Sequence, residues 1–360
     1  MPSIIPKSLL AGCAVVLVLA AGCAFLGLSW DVAWERRVLS STYDLRCYDM
    51  ESTSDGGVLI VGEEGNPSLR YWHPFMAFID AKGNSVLVDT TEGTLRCIRR
   101  VPAGGYVAAG AVSSGAWLLR LDENLNVVWS VRYGDSGSDC HGICPTSDGG
   151  FIVSGSLSDS AFLLRTDAAG SLTWRRTWHY DEYLGSVGSV IEMPDGGAIV
   201  ACSRVTFARI NCDGETLWTR TYGFGVSDMA LTSDGLLVAA GVSDSSYGYP
   251  PTDILVCQAN VEGETLWTRR HDESKGLWFA GAAADPEGGC VVFGTVVENS
   301  SESRILVLKY EATGRLAWSH KWSDASVCCW GTVAADGWLV VAGLEPSAGG
   351  MDLVVFKTRP

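Results

Sequence analysis

A turn reading Asp-Gly-Gly, or a near variant, returns seven times along this chain. Its second glycine, or the residue standing in for it, falls at Gly57, Gly105, Gly150, Gly197, Leu236, Gly289 and Trp338, at intervals of 39 to 53 residues. That period belongs to propeller blades rather than to ankyrin or tetratricopeptide helices. After each turn comes a short apolar, β-branched run, such as VLIVG from Val58, FIVSG from Phe151 and LVVAG from Leu339. Runs of this kind, bounded by glycine, read as strands buried on both faces. A second strand follows (AWLLRLD from Ala116, AFLLRTD from Ala161, RILVLKY from Arg304), then a tight glycine turn. Next stands a tryptophan at fixed offset: Trp129, Trp174, Trp218, Trp267 and Trp318. The strand it opens alternates apolar with charged residues, as an outer strand with one wet face should. With the small-residue strand ahead of each Asp-Gly-Gly, this makes four antiparallel strands per copy, the plan of a propeller blade.

The seventh copy stops after its third strand, DLVVFKTRP. Near the other end, DVAWERRV (Asp31 to Val38) is a lone fourth-strand pattern, with Trp34 where the repeat tryptophan belongs. The expected fold is therefore all-β: a seven-bladed β-propeller over residues 29–360, closed by the N-terminal strand completing the last blade, with no exposed sheet edge. A ring complete in itself is expected to be a monomer.

Residues 1–28 are expected to be a signal peptide or membrane anchor. Ser8 to Leu28 is 21 residues without a charge, with Lys7 in front, long enough to span a bilayer with the N-terminus inside. Two stretches, Leu10-Ala11-Gly12-Cys13 and Leu19-Ala20-Ala21-Gly22-Cys23, resemble the lipobox of bacterial lipoproteins. Cys23 has the right spacing and is the expected lipidation site; a retained helix and simple secretion are the alternatives, and each places the ring outside the cytoplasm. Seven residues separate Cys23 from the strand of Trp34, a reach of at most roughly 25 Å. The tight-turn face is thus expected to look at the membrane and the variable-loop face outward. A formal net charge of −15 argues against nucleic acid or anionic lipid as electrostatic partners.

The outward loops are unequal. Glu63 to Pro74 and Val242 to Thr252 are long and aromatic, and Tyr71, Trp72, His73, Trp178, Tyr180, Tyr247 and Tyr249 are the candidate binding residues. Exposed aromatics of this kind serve proteins and sugar rings alike, so the partner is expected to be a protein or glycan of the cell envelope. Tyr133, Tyr222 and Phe224 are candidates for the same face. No nucleophile elbow, phosphate loop or metal helix is present. Asp49 and Asp228 share one inner-strand position and together could hold a channel cation, but the other copies carry Cys97, Gly142, Ser189, Gly281 and Trp330 there. No metal, cofactor or catalytic residue is therefore expected. Of the twelve cysteines, most of those in the ring read as small core residues; adjacent Cys328 and Cys329 could form a vicinal disulfide.

The Asp-Gly-Gly-aromatic-Ile-Val-Ala-Gly strand, with the later Lys/Arg-x-Asp-x-x-Gly-x-x-x-Trp, resembles the repeat of uncharacterised bacterial and archaeal surface propellers and lipoproteins. It covers Trp34 to Pro360. Glu311 to Trp318 is also similar to the tryptophan-docking repeat of quinoprotein dehydrogenases, whose vicinal disulfide Cys328-Cys329 matches, although they have eight copies and acidic catalytic and calcium-binding residues that find no counterpart here. An eight-bladed outer-membrane assembly lipoprotein is similar in architecture and implies a non-catalytic scaffold. The expected function is a non-catalytic extracytoplasmic binding module, with an envelope scaffold, or a quinone-dependent or glycan-active enzyme, as alternatives.

Overall fold

The computed structural model describes residues 31–41, 44–66, 71–89, 93–134, 137–179, 187–202, 206–243, 253–273, 276–299, 302–322, 327–347 and 350–359. They form seven four-stranded antiparallel sheets and no helix. Six sheets are built from consecutive strands: blade 1 (Asp44–Ser52, Val58–Asn66, Tyr71–Ile79, Ser85–Asp89), then blade 2 over 94–133, blade 3 over 138–179, blade 4 over 187–221, blade 5 over 225–272 and blade 6 over 276–322. In the seventh, Val327–Val333, Leu339–Pro346 and Met351–Arg359 are joined at the outer edge by Asp31–Ser41, with Trp34 beside Lys357 and Ser40 beside Asp352.

The repeat motif turns out to be a set of latches between blades. Five of the six repeat tryptophans of the outer strands, Trp34, Trp129, Trp174, Trp218 and Trp267, dock on the glycine of the following blade's tight turn. Trp34 Nε1 donates to Ala81 O (2.9 Å), Trp174 to Cys212 O (2.8 Å) and Trp267 to Ala312 O (2.9 Å). At Gly314, where φ is +74°, a Cβ would stand 2.6 Å from the Trp267 ring. Only glycine both tolerates that backbone and lets the indole lie flat on it.

The seam between blades 1 and 2 confirms the coupling by exception. Blade 1 has Leu87 where the tryptophan belongs, and blade 2 has Leu125, at φ 63°, in place of the turn glycine. With no indole to admit, the turn keeps a side chain, which packs into the cluster of Leu59, Met76, Leu95 and Trp117. The gained apolar contact offsets a left-handed conformation that costs about 1 kcal/mol or more.

A second latch uses the cation of the third strand. Arg165 (8% exposed) donates to Asp148 of its own turn (2.9 Å) and to Gly196 O of the next blade. Lys357 (2% exposed) does the same with Asp336 (2.6 Å) and Gly56 O (2.7 Å). Gln258 reaches Gly288 O. The Thr146 hydroxyl and Arg165 together pull the Asp148 carboxyl down to about 2. Between the latches, apolar side chains of neighbouring blades fill each seam, as Val58, Ile60, Val340, Ala342 and Val355 do between blades 7 and 1.

Candidate functional site

Every inner strand contains one register shift against its neighbour. In blades 1, 2, 3, 5 and 7 the unpaired residue falls at the same repeat position: Tyr48, Arg96, His141, Ser227 and Cys329. Gly188 lies inside the shifted stretch of blade 4, and blade 6 shifts one residue earlier, between Trp278 and Ala280. A bulge adds one residue, breaks the two-residue alternation and re-aims a side chain. Here Tyr48, Arg96, His141, Gly188 and Ser227 all come to line a cavity of about 460 Å³ on the propeller axis, with Asp49, Arg99, Ser189, Asp228 and Trp330. Inner strands run from the variable-loop side towards the Asp-Gly-Gly turns, so this cavity lies on the variable-loop half of the channel. A second cavity of about 380 Å³, including Glu51 and Thr332, continues towards the turns, and Arg99 borders both.

The bulged residues are tied outward to the loops. The Arg96 guanidinium lies 4.1 Å from the Tyr48 ring centroid and donates through Nε to Asp139 (3.2 Å). The Tyr48 hydroxyl donates to Glu63, which also pairs with Arg46 (3.2 Å). Arg46 in turn lies 3.9 Å from the Trp72 ring centroid. One chain of contacts thus runs from Trp72, near the start of the strand Tyr71–Ile79, to Arg96 in the channel. Burial and the bond to Glu63 push the Tyr48 phenol up to about 12, so it remains a donor. His141 shares a hydrogen bond with Ser156 Oγ (2.7 Å), and desolvation lowers the imidazole's affinity for a proton.

Asp49 and Asp228 hold blades together. Asp49 accepts from Met50 N (2.9 Å), from Ile98 N of the next blade (2.9 Å) and from Arg99. Asp228 repeats this with Met229 N (2.8 Å) and Ala282 N (3.0 Å). Burial raises both carboxyls, that of Asp228 to about 6 against the pull of Arg99, and burial likewise raises Glu51 to about 7. Burial disfavours the Arg99 charge, but Asp49, Glu51 and Asp228 outweigh it and hold the guanidinium protonated. The charge that the two aspartates could have offered a cation is thus answered by an arginine.

The expected binding residues disperse. Glu63 to Pro74 is mostly not a loop: the strands extend to Asn66 and resume at Tyr71, with Gly65 opposite Trp72 and Glu64 opposite His73. The aromatic and β-branched content of the stretch favours pairing over an open loop. Trp72 is half-buried and His73 exposed. Trp178 is half-buried against the blade 3–4 cluster of Ala161, Leu163 and Val187. Tyr133 and Tyr222, expected on the outward face, instead donate their hydroxyls to Gly170 O and Gly263 O as further latches, and Phe224 is fully buried. Cys23, Tyr180, Tyr247, Tyr249 and the side chains of Tyr71, Cys328 and Cys329 lie outside the described residues. Cys97, Cys140, Cys144, Cys202, Cys212, Cys257 and Cys290 are free thiols.

Sequence reasoning missed Tyr48, Arg96, His141 and Ser227 as one group. The signal was available: each stands nine residues before its aligned turn position, Gly57, Gly105, Gly150 and Leu236. Ser160, His179 and Asp159 also meet, but the hydroxyl (3.3 Å) and the carboxylate (3.6 Å) both face His179 Nδ1. A nucleophile relay needs them on opposite ring nitrogens. Among the described residues no three His, Cys, Asp or Glu side chains are placed to hold a metal ion.

No protein-family profile matches the chain, and no curated protein matches it. Among solved structures it is similar to a streptogramin B lyase at 11% identity and TM-score 0.64, over 91% of this chain and 98% of that one. Virginiamycin B lyase from Staphylococcus aureus gives 10% identity and TM-score 0.64, over 91% and 99%. The WD40 propeller domain of Doa1 gives 15% and 0.64, over 92% and 97%. Likeness at such identities shows the all-β, seven-bladed propeller fold, which serves lyase and WD40 domain alike.

Proposed function

We propose that this protein is an extracytoplasmic binding module whose variable-loop face receives a protein or glycan partner around the channel mouth. One observation carries the reading: a single repeat position, bulged in blade after blade, bears tyrosine, arginine, histidine and serine that converge on one cavity. Packing would favour one residue in blade after blade, as it does for the rim position, which is tryptophan in six blades of seven. Divergence at a shared, solvent-facing position is what ligand recognition requires. The chain of contacts to Trp72 supports a recognition surface that begins at the loops and ends in the channel.

The uncharged run from Ser8 to Leu28 and the lipobox-like Cys23 support membrane attachment, and the strand of Trp34 at the edge of blade 7 supports a ring closed by its N-terminal strand. The expected oligomeric state is a monomer. Glycan-array binding and crosslinking on intact cells test the reading with the full chain. Trp72→Ala, which removes the outer end of the chain of contacts, is expected to weaken partner capture at least about tenfold; undiminished capture by a folded variant overturns it. Incorporation of labelled palmitate, lost in Cys23→Ala, tests the attachment.

A further inference from the structure

The formal charges lining the channel cavity balance, yet the charges a ligand would meet do not. Asp49 and Asp228 are only 1% and 4% exposed, and both oxygens of each already accept backbone N–H groups. Their negative charge is directed into the walls. The side chains of Arg96 and Arg99 are 26% and 30% exposed on the same cavity. Arg96 spends Nε on Asp139 and meets the Tyr48 phenol; the hydrogen bonds of Arg99, to Asp49 and Ile98 O, all leave from one terminal nitrogen. A guanidinium carries five N–H donors, more than these partners take up. The hydroxyl-bearing Ser189 and Ser227 also line the space. What faces the cavity is therefore a donor set with positive character, walled by the rings of Tyr48 and Trp330.

We propose that this cavity binds a compact organic anion whose carboxylate or phosphate is received by Arg96 and Arg99. The inference rests on the binding reading above and names the chemistry of the group that reaches deepest into the channel. Arginine suits it because its planar fork pairs with either oxyanion in two parallel bonds. A volume of about 460 Å³ falls in the range of small-ligand pockets and takes a ligand of sugar-acid size. Asp139 below Nε and the Tyr48 ring against the guanidinium face hold Arg96 in place before the ligand arrives, so little side-chain freedom is lost on binding.

Isothermal titration of the purified chain at low salt tests this with glucuronate and glucose 6-phosphate as anions, glucose as the neutral control and glucosamine as the cation. At least one anion is expected to bind about tenfold or more tightly than glucose, and to weaken as salt is raised. Arg96→Gln is expected to abolish that preference. Ser227→Phe, which puts a bulky ring into the cavity and keeps both guanidiniums, should do the same if Arg96→Gln fails to fold. Binding of neither anion, equal binding of glucose, tighter binding of glucosamine, or full anion binding by either folded variant overturns the proposal. Partner capture that persists in Arg96→Gln but fails in Trp72→Ala would sink the anion site while leaving the face intact; the reverse would sink the face.

Discussion

At the rim of the propeller Trp34, Trp129, Trp174, Trp218 and Trp267 all perform one task, lying on the next blade's turn glycine. On the axis Tyr48, Arg96, His141 and Ser227 share one repeat position and bring four chemistries to it. Both rings of residues come from the same repeat, and the difference lies in what surrounds them. A rim tryptophan meets the glycine of a tight turn in each of these five seams, so packing favours one answer. A bulged axial residue faces solvent, and packing leaves its identity open. Repetition at the rim is thus what packing dictates, whereas on the axis packing leaves the residue free to answer a ligand, as proposed above.

The comparison can be broken most severely at the rim. Trp267 is 8% exposed and joins blades 5 and 6, so Trp267→Ala is expected to cost about 3–5 kcal/mol in denaturant unfolding while leaving ligand binding at the channel unchanged. A loss below about 1 kcal/mol would mean that the seams are held by something other than the latch.

Next in size is a pH effect on the axis. Burial raises Asp228 to about 6 from an unfolded value near 3.9, so the folded state holds a proton that the unfolded state has released. This contribution is fully present below about pH 4 and is lost as pH rises through about 6. The stability of the wild type relative to Asp228→Asn should thus fall by roughly 2–3 kcal/mol between pH 4 and 7. A pH-independent difference between the two melting curves would remove the buried-clamp account of Asp228.

The exceptional seam offers a sharper test. Leu87→Trp alone would set an indole against a turn that carries Leu125, and Leu125→Gly alone would empty the seam. Together they recreate the latch, and a double-mutant cycle is expected to show favourable coupling of about 1–2 kcal/mol. Additive effects would show that the leucine pair is coincidental. The smallest effect on stability belongs to the axis: Arg96 and Asp139 are both partly exposed, so Arg96→Gln should shift unfolding by under about 1 kcal/mol even though it is expected to remove the proposed anion binding.

The same contrast explains what could be read from the chain. Blade number and strand order were legible because Asp-Gly-Gly turns, β-branched runs and Gly-x-x-x-Trp spacing are dictated by backbone geometry and burial. The functions of those residues were less so: Tyr133 and Tyr222 look like loop aromatics until the twist of the outer strand turns them onto Gly170 and Gly263. The channel site was hidden for a different reason. A bulge adds no glycine and no proline to announce itself, and Asp-Leu-Arg-Cys-Tyr-Asp-Met reads as an irregular strand until the register with Val58–Asn66 is known. Which charge is open to a ligand and which is spent on a neighbouring amide is likewise decided by burial, which composition does not contain.

The free thiols carry a practical consequence. Cys97, Cys140, Cys202, Cys257 and Cys290 are buried one each in blades 2 to 6, and burial pushes the last four up to about 12. Such sulfurs react with alkylating reagents only when their own sheet opens. The molecule therefore contains five clocks, one to a blade, and mass-resolved alkylation rates would tell whether the ring breathes sheet by sheet or comes apart all at once.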